Sequence, residues 1–314
     1  MLSTLAALAL AATASCQTEL VVLGTSQDAG TPQIGRNTDP AWRDPKLRAW
    51  AASLALIDHD SGRRYLFDAT PNLTDQLHWL DTHHPKRTSG IGIDGIFLTH
   101  AHMGHYAGLM FLGREAANTR GVPIYAMPRM AGFLKDNGPW SQLVALDNIA
   151  LRPLAANTAT GLPGNILVTP YLVPHRDEFS ETVGFVIKGA GRSALYLPDL
   201  DSWEKWDKRL EDVLAEVDIA YVDGTFFDDN ELGDPMRMKS VPHPRVADTA
   251  ARLARLRPDL AAKVRFIHLN HSNPARFAGS KQRRAIERDG LGFARLGERY
   301  CLSQPRAKTP ISRR

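Results

Sequence analysis

Three histidines fall within six positions in His100-Ala-His-Met-Gly-His105. A neutral imidazole offers one ring nitrogen lone pair, and histidine is the commonest protein metal ligand. The residues before the cluster, Gly95-Ile-Phe-Leu-Thr99, are apolar and predict a strand; those after it, through Leu109 and Leu112, predict a helix opening at His105. In extended backbone, residues i and i+2 point to the same side, so His100 and His102 can meet one ion at about 2.0–2.1 Å. Gly104 lets the chain turn sharply before His105. Burying three imidazoles without a metal or other partners would cost several kcal/mol, and flanks this apolar do not suit a solvated loop. The pattern predicts a metal centre.

The same stretch resembles the metallo-β-lactamase superfamily, whose motif is His-x-His-x-Asp-His after a strand. The resemblance implies an α/β (α+β) fold, a four-layer αββα sandwich, over nearly all of the mature chain. It also implies further ligands at later strand ends: His175 in Leu172-Val-Pro-His175, Asp199 in Leu195-Tyr-Leu-Pro-Asp199, and His268 in Phe266-Ile-His268. Asp201 is the substitute for Asp199, and His271 competes with His268. His100, His102 and His175 would hold one ion, His105 and His268 a second, with Asp199 between them. Asp68, at the end of an earlier strand, matches the family's bracing aspartate.

This chain departs from the family motif at Gly104, where the family has an aspartate that serves the second ion. Asp28, Asp177 or His271 are candidates for the missing group. If Gly104 marks a vacancy, placing an aspartate there should add a ligand. Two further segments, Val22-Leu-Gly-Thr-Ser-Gln-Asp-Ala-Gly-Thr-Pro-Gln33 and His268-Leu-Asn-His-Ser-Asn-Pro274, resemble the branch that contains the pyrroloquinoline-quinone biosynthesis B proteins. Those proteins lack the full histidine motif, whereas this chain keeps the three histidines.

The elements that must position these residues alternate along the chain. Apolar or alternating runs predict strands at Leu20–Leu23, Ser53–Ile57, Tyr65–Phe67, Gly95–Leu98, Pro123–Ala126, Ile166–Leu172, Val183–Lys188, Ser193–Leu197, Ile219–Val222 and Val264–Ile267. Helical spacing predicts helices at Leu73–Asp81, His105–Ala117, Arg129–Asp136, Trp203–Glu216, Arg245–Leu256 and Lys281–Arg288. Two β-rich layers covered by helices accommodate this order, although periodicity alone does not separate that arrangement from other α/β folds. No long inter-domain linker is evident, so residues 17–314 read as one domain after a leader at 1–16.

At 314 residues and 43% hydrophobic content, the chain can bury a large core. Its formal charge of +4 is dispersed, with no concentrated basic patch of the kind that binds nucleic acid. Met1 to Ala14 is small and apolar and ends in Ala12-Thr13-Ala14, which predicts an export signal. Cys16 then sits where a bacterial lipoprotein would be lipidated and tethered to a membrane. Removal or lipidation of Cys16 would leave Cys301 alone among the two cysteines, which excludes a disulfide. The glycine-containing loop 24–30 lacks P-loop spacing.

The expected chemistry is metal-assisted hydrolysis of a small ester, lactone, amide, thioester or phosphodiester. It would use one or two divalent ions, zinc first, with iron or manganese as alternatives. Asp199, His271 and His243 are the expected catalytic residues. Asp223 and Thr225 are candidate substrate contacts, and Trp140 a candidate wall. His83 and His84 read as helix-end residues rather than ligands. Two other readings stay open. The first is a non-haem iron oxygenase or oxidoreductase on two histidines and a carboxylate; the second is a metal-binding accessory protein without turnover.

Overall fold

Every residue of strand β1 (Thr18–Gly24) is buried, which a strand achieves only when both of its faces are covered. Leu20 and Val22 point to one side and Val21 and Leu23 to the other, and the two sets belong to different cores. In the computed structural model, which describes residues 16–85, 90–233, 238 and 240–303, this alternation recurs through two mixed sheets.

The first sheet also contains β2 (Ser53–Asp58), β3 (Arg63–Phe67), β4 (Gly95–Phe97), β5 (Val122–Ala126) and β6 (Ile149–Pro153), with β14 (Arg299–Cys301) beside β1 at its edge. The second runs from β7 (Thr160–Leu162) through β8 (Ile166–Leu172), β9 (Val183–Lys188), β10 (Ser193–Leu197), β11 (Ile219–Asp223) and β12 (Val264–Ile267) to β13 (Gly292–Phe293). The inner faces meet through Leu54, Leu56, Phe67 and Phe97 on one side and Val168, Phe185, Ile187 and Tyr196 on the other.

Helices cover both outer faces. On the first sheet, Leu73 and Leu80 of α1 (Leu73–His83), Met130 and Leu134 of α3 (Pro128–Asp136), and Trp140 and Leu143 of α4 (Trp140–Ala145) pack against Leu66 and Ile96. On the second, α5 (Leu210–Glu216), α6 (Val246–Leu256), α7 (Pro258–Ala261) and α8 (Lys281–Arg288) bury Val213, Leu253, Leu260 and Ile286 in one core with Leu195, Val222 and Phe266. The expected αββα layering is observed.

Strand direction decides where the polar residues gather. β3 and β4 are parallel, and β1 reaches the same direction through antiparallel β2. In the second sheet β10, β11 and β12 are parallel, and β8 shares their direction through antiparallel β9. The residues that follow these strands therefore emerge at one edge of the sandwich: Asp28, Asp68, the histidine cluster, His175, Asp199 and His268.

Two predicted helices are shorter than their apolar spacing suggests. The predicted 105–117 helix is a four-residue α2 (Met103–Tyr106) followed by a tighter 3-10 segment, Ala107–Leu112. Gly108 presses on the backbone at Ala69 and Thr70 so closely that a Cβ would overlap the Thr70 carbonyl, and its N–H donates to the Ala69 carbonyl at 2.9 Å. That contact takes the donor an α-helix would use. Over 203–216, only Leu210–Glu216 is helical, because Trp203 and Trp206 are drawn into the core with their indole N–H groups bonded to Thr249 and Leu172.

The cysteine expectation is corrected. Cys16 and Cys301 form a disulfide, with Cα atoms 5.7 Å apart. The pairing of β1 with β14, which sets Glu19 opposite Cys301, brings the two together; a three-residue strand so far along the chain left no periodic signal. A sulfur in that bond cannot also carry a lipid, so the Cys16 tether does not fit this structure. Of the leader expected at 1–16, residues 1–15 lie outside the described residues, as do those from 304 on.

Cross-linking residues this far apart restricts the unfolded chain strongly, and native disulfides typically contribute about 2–4 kcal/mol. Cys301→Ser should lower the midpoint of denaturant unfolding accordingly, and peptide mapping without reductant should recover a Cys16–Cys301 linked peptide in the wild type. Equal midpoints for mutant and wild type would contradict the bond.

Candidate metal centre

The centre rests on Asp68, which has no exposed surface. Its Oδ1 accepts from the Thr99 amide at 2.8 Å and the Thr99 hydroxyl at 2.9 Å. Its Oδ2 accepts from His105 Nδ1 at 2.8 Å and the Tyr196 hydroxyl at 3.2 Å. The Thr99 hydroxyl proton is committed to Asp68, so its oxygen accepts from His100 Nδ1 at 3.0 Å. That bookkeeping leaves the Nε2 lone pairs of His100 and His105 facing inward.

Similar partners orient the other imidazoles. His175 Nδ1 donates to Asp201 at 3.1 Å, and His102 Nε2 donates to Glu178 at 3.2 Å. His268 Nδ1 is engaged by the Thr225 hydroxyl at 2.9 Å. Supporting contacts of this kind fix the tautomer of metal-binding histidines.

Two donor clusters result. In the first, His100 Nε2 lies 2.9 Å from His102 Nδ1, which lies 3.1 Å from His175 Nε2; Asp199 Oδ2 is 3.4 Å from both His100 and His175. Tetrahedral ligands at zinc distances stand about 3.3 Å apart. In the second, Asp28 Oδ1 is 3.4 Å from His105 Nε2 and 3.5 Å from His268 Nε2. Asp199 Oδ2 completes it at 3.7 and 4.0 Å from the same nitrogens. One carboxylate oxygen thus belongs to both clusters.

The polar accounting is incomplete without a cation. His105 Nε2, His268 Nε2 and Asp28 Oδ1 are buried with no hydrogen-bond partner, and buried polar atoms are rarely left so. Converging lone pairs and ionised carboxylates fit divalent metal ions. The charge states of His100, His102 and the two carboxylates agree. Burial, aided by charge on His105, holds His100 well below the usual imidazole pKa, and burial lowers His102 as well. Burial opposes ionisation of Asp199 and Asp28, but the surrounding imidazoles outweigh it and hold both well below the usual carboxylate range. Burial likewise works against a charged His105, yet Asp68 and Asp28 raise it well above its ordinary value, so an ion at Nε2 would bind in exchange for a proton.

The family model described as "Beta-lactamase superfamily domain" matches residues 63–269. The chain belongs to that superfamily. Among curated relatives, the Coenzyme PQQ synthesis protein B of Ruegeria pomeroyi is 26% identical over 306 residues, covering 90% of this chain and 100% of that protein. Its counterpart in Rhodopseudomonas palustris is 28% identical over 317 residues, covering 90% and 99%. Among solved structures, Zn(2+)-bound PqqB from Methylobacterium extorquens superposes with a TM-score of 0.72 at 24% identity, covering 90% of this chain and 99% of that one. A diphosphatase from the PhnP family gives 0.62 at 21% identity, covering 90% and 96%. These likenesses establish the metallo-β-lactamase fold.

The structure brings His100, His102, His105, His175, Asp199 and His268, the residues the resemblance implies, close to one another. His268, not His271, occupies the late position, with its backbone at φ 65°; His271 lies outside both clusters, and burial together with the nearby Arg36 and Arg276 lowers its pKa. Asp201 stands behind His175 rather than replacing Asp199. Of the three candidates for the missing group, Asp28 alone reaches the second cluster; Asp177 accepts from Thr182 instead.

Asp223 and Thr225 are fully buried and support other residues, so the substrate-contact reading is corrected. Asp223 accepts from His243 Nδ1 at 2.8 Å and from the amides of Leu200 and Thr225. Trp140 is core, edge-on to Tyr106 at 5.0 Å. Sequence reasoning missed Glu178 and Tyr196, which carry no motif. Asp68→Asn keeps the shape of the brace but cannot hold the same charge against His105. Its metal affinity, measured by chelator competition, should fall about 10–100-fold; an unchanged affinity would contradict the bracing role.

Proposed function

We propose that the protein is a metal-dependent hydrolase acting on a small ester, lactone, amide or phosphodiester. The observation that carries this reading is Asp199 Oδ2, shared between two histidine–carboxylate clusters, in the second of which His105 Nε2, His268 Nε2 and Asp28 Oδ1 are buried without a hydrogen-bond partner. Divalent ions held there would polarise a substrate oxygen and bring the pKa of bound water from about 15.7 toward 7. Three imidazoles with one carboxylate suit zinc in the first cluster; the second, with two carboxylates, also suits iron or manganese.

The chain's own groups supply the rest. His243 is held by Asp223, with its Nδ1 also 3.2 Å from Asp199 Oδ1, and its Nε2 is buried without a partner. Burial works against its charge, but Asp223 and Asp199 raise its pKa above the ordinary value. His243 is therefore suited to deliver a proton to a leaving group, with Asp223 as its positioning partner. Met103 and Phe179 are 60% and 58% exposed and adjoin His102 and Glu178 in sequence, offering apolar surface for a substrate body. The Cys16–Cys301 bond supports the reading that the protein works in an oxidising compartment outside the cytoplasm.

The double substitution His100→Ala and His102→Ala should abolish tight metal binding at the first cluster and lower the melting midpoint, because metal binding and folding share free energy. Metal analysis with melting curves checks this. The wild type, loaded with zinc, should turn over at least one member of a panel of aryl esters, lactones, amides and bis(p-nitrophenyl) phosphate. No turnover anywhere in the panel would sink the hydrolase assignment.

A further inference from the structure

Gly104 is buried, and its backbone lies outside the left-handed region that would demand glycine. The reason for glycine there is space. A Cβ built at position 104 would overlap Cα, Cβ and Oδ1 of Asp28. The carboxylate of a different loop therefore stands where a side chain from position 104 would begin.

Asp28 is placed there by backbone that few residues tolerate. Its φ of 23° lies in the positive region that Asp enters more readily than most side chains. The loop around it is fastened to the segment after His268: Gln27 N donates to Leu269 O at 2.9 Å, Leu269 N to Thr25 O at 2.9 Å, and Ser26 Oγ to Leu269 O at 3.1 Å. Asp28 and His268 are thus carried by one hydrogen-bonded unit. The Asp28 side chain is 39% exposed, yet its Oδ1 is buried, without a hydrogen bond, between His105 and His268. An exposed aspartate with no task would turn that oxygen to water.

We propose that Asp28 supplies the carboxylate of a second metal site, with His105, His268 and Asp199, and that Gly104 and Asp28 are an exchanged pair: the ligand has moved from the histidine motif to the β1 loop, and glycine at 104 makes room for it. This rests on the metal-centre reading above and adds to it that the residue at 104 and the residue at 28 depend on each other. The expectation that an aspartate at position 104 would simply fill a vacancy is overturned, because the space is occupied.

The test is metal counting by native mass spectrometry on the folded, full-length protein, with manganese or zinc as the probe. The wild type should hold two ions. Asp28→Asn, which preserves size, should keep the first ion and weaken the second by more than about 100-fold, beyond the 10–100-fold loss typical of removing a mere supporting partner. Gly104→Asp alone should gain no ion. The exchange variant, Asp28→Gly with Gly104→Asp, should recover the second ion. Two ions at wild-type affinity in Asp28→Asn, or a single ion in the wild type, would overturn the proposal. Two ions without turnover would overturn the hydrolase reading and leave this one standing.

Discussion

Asp68 is a negative charge with no access to water, in a place where an unmatched carboxylate would be too costly to keep. Four donors from three segments of the chain match it: the Thr99 amide and hydroxyl, His105 Nδ1 and the Tyr196 hydroxyl. Because Thr99 follows one sheet and Tyr196 lies in the other, the carboxylate also fastens the two layers at the edge where the ligands emerge. Through Thr99 it sets the tautomer of His100, and through Nδ1 that of His105. The directions of both lone pairs follow from this one residue.

Three residues with side chains at the centre, Asp28, Asp68 and His268, have positive φ without being glycine. Such conformations cost of order 1–3 kcal/mol each and persist only where the surroundings hold them. Here the holding is visible. Asp68 N donates to Phe97 O, and the Thr25–Asp28 and Leu269 segments bond to one another. A sandwich built for stability alone would place glycine or asparagine at these turns. The centre tolerates the strain because each residue must both turn the chain and present a polar group.

Much of this was legible in the sequence because it repeats with a period. Strands such as Ile166–Leu172 and Val183–Lys188 have the predicted limits, and three histidines after an apolar strand leave few readings. The rest lay in residues whose role depends on meeting something distant in sequence. Asp28 is one aspartate in a turn-rich loop, and its importance appears only when Gly104 is set against it. Thr225, Glu178 and Tyr196 act through hydrogen bonds to residues 43, 76 and 128 positions away, which composition and spacing cannot reveal. The disulfide escaped for a similar reason: its partner strand, β14, is too short to show alternation.

Strand β1 begins at the end of the sheet remote from the metal centre and runs toward it, while β14 runs back to finish beside the start. The first and last described segments therefore leave the sandwich together, stapled by Cys16–Cys301, on the side away from the ligand-bearing loops. Cys16 and Cys301 thus mark the base of the described sandwich, and the mouth of the centre opens at its other edge. With the Cα atoms of Cys16 and Cys301 5.7 Å apart, a circular permutation that bridges the described residues there would close the chain far from every ligand.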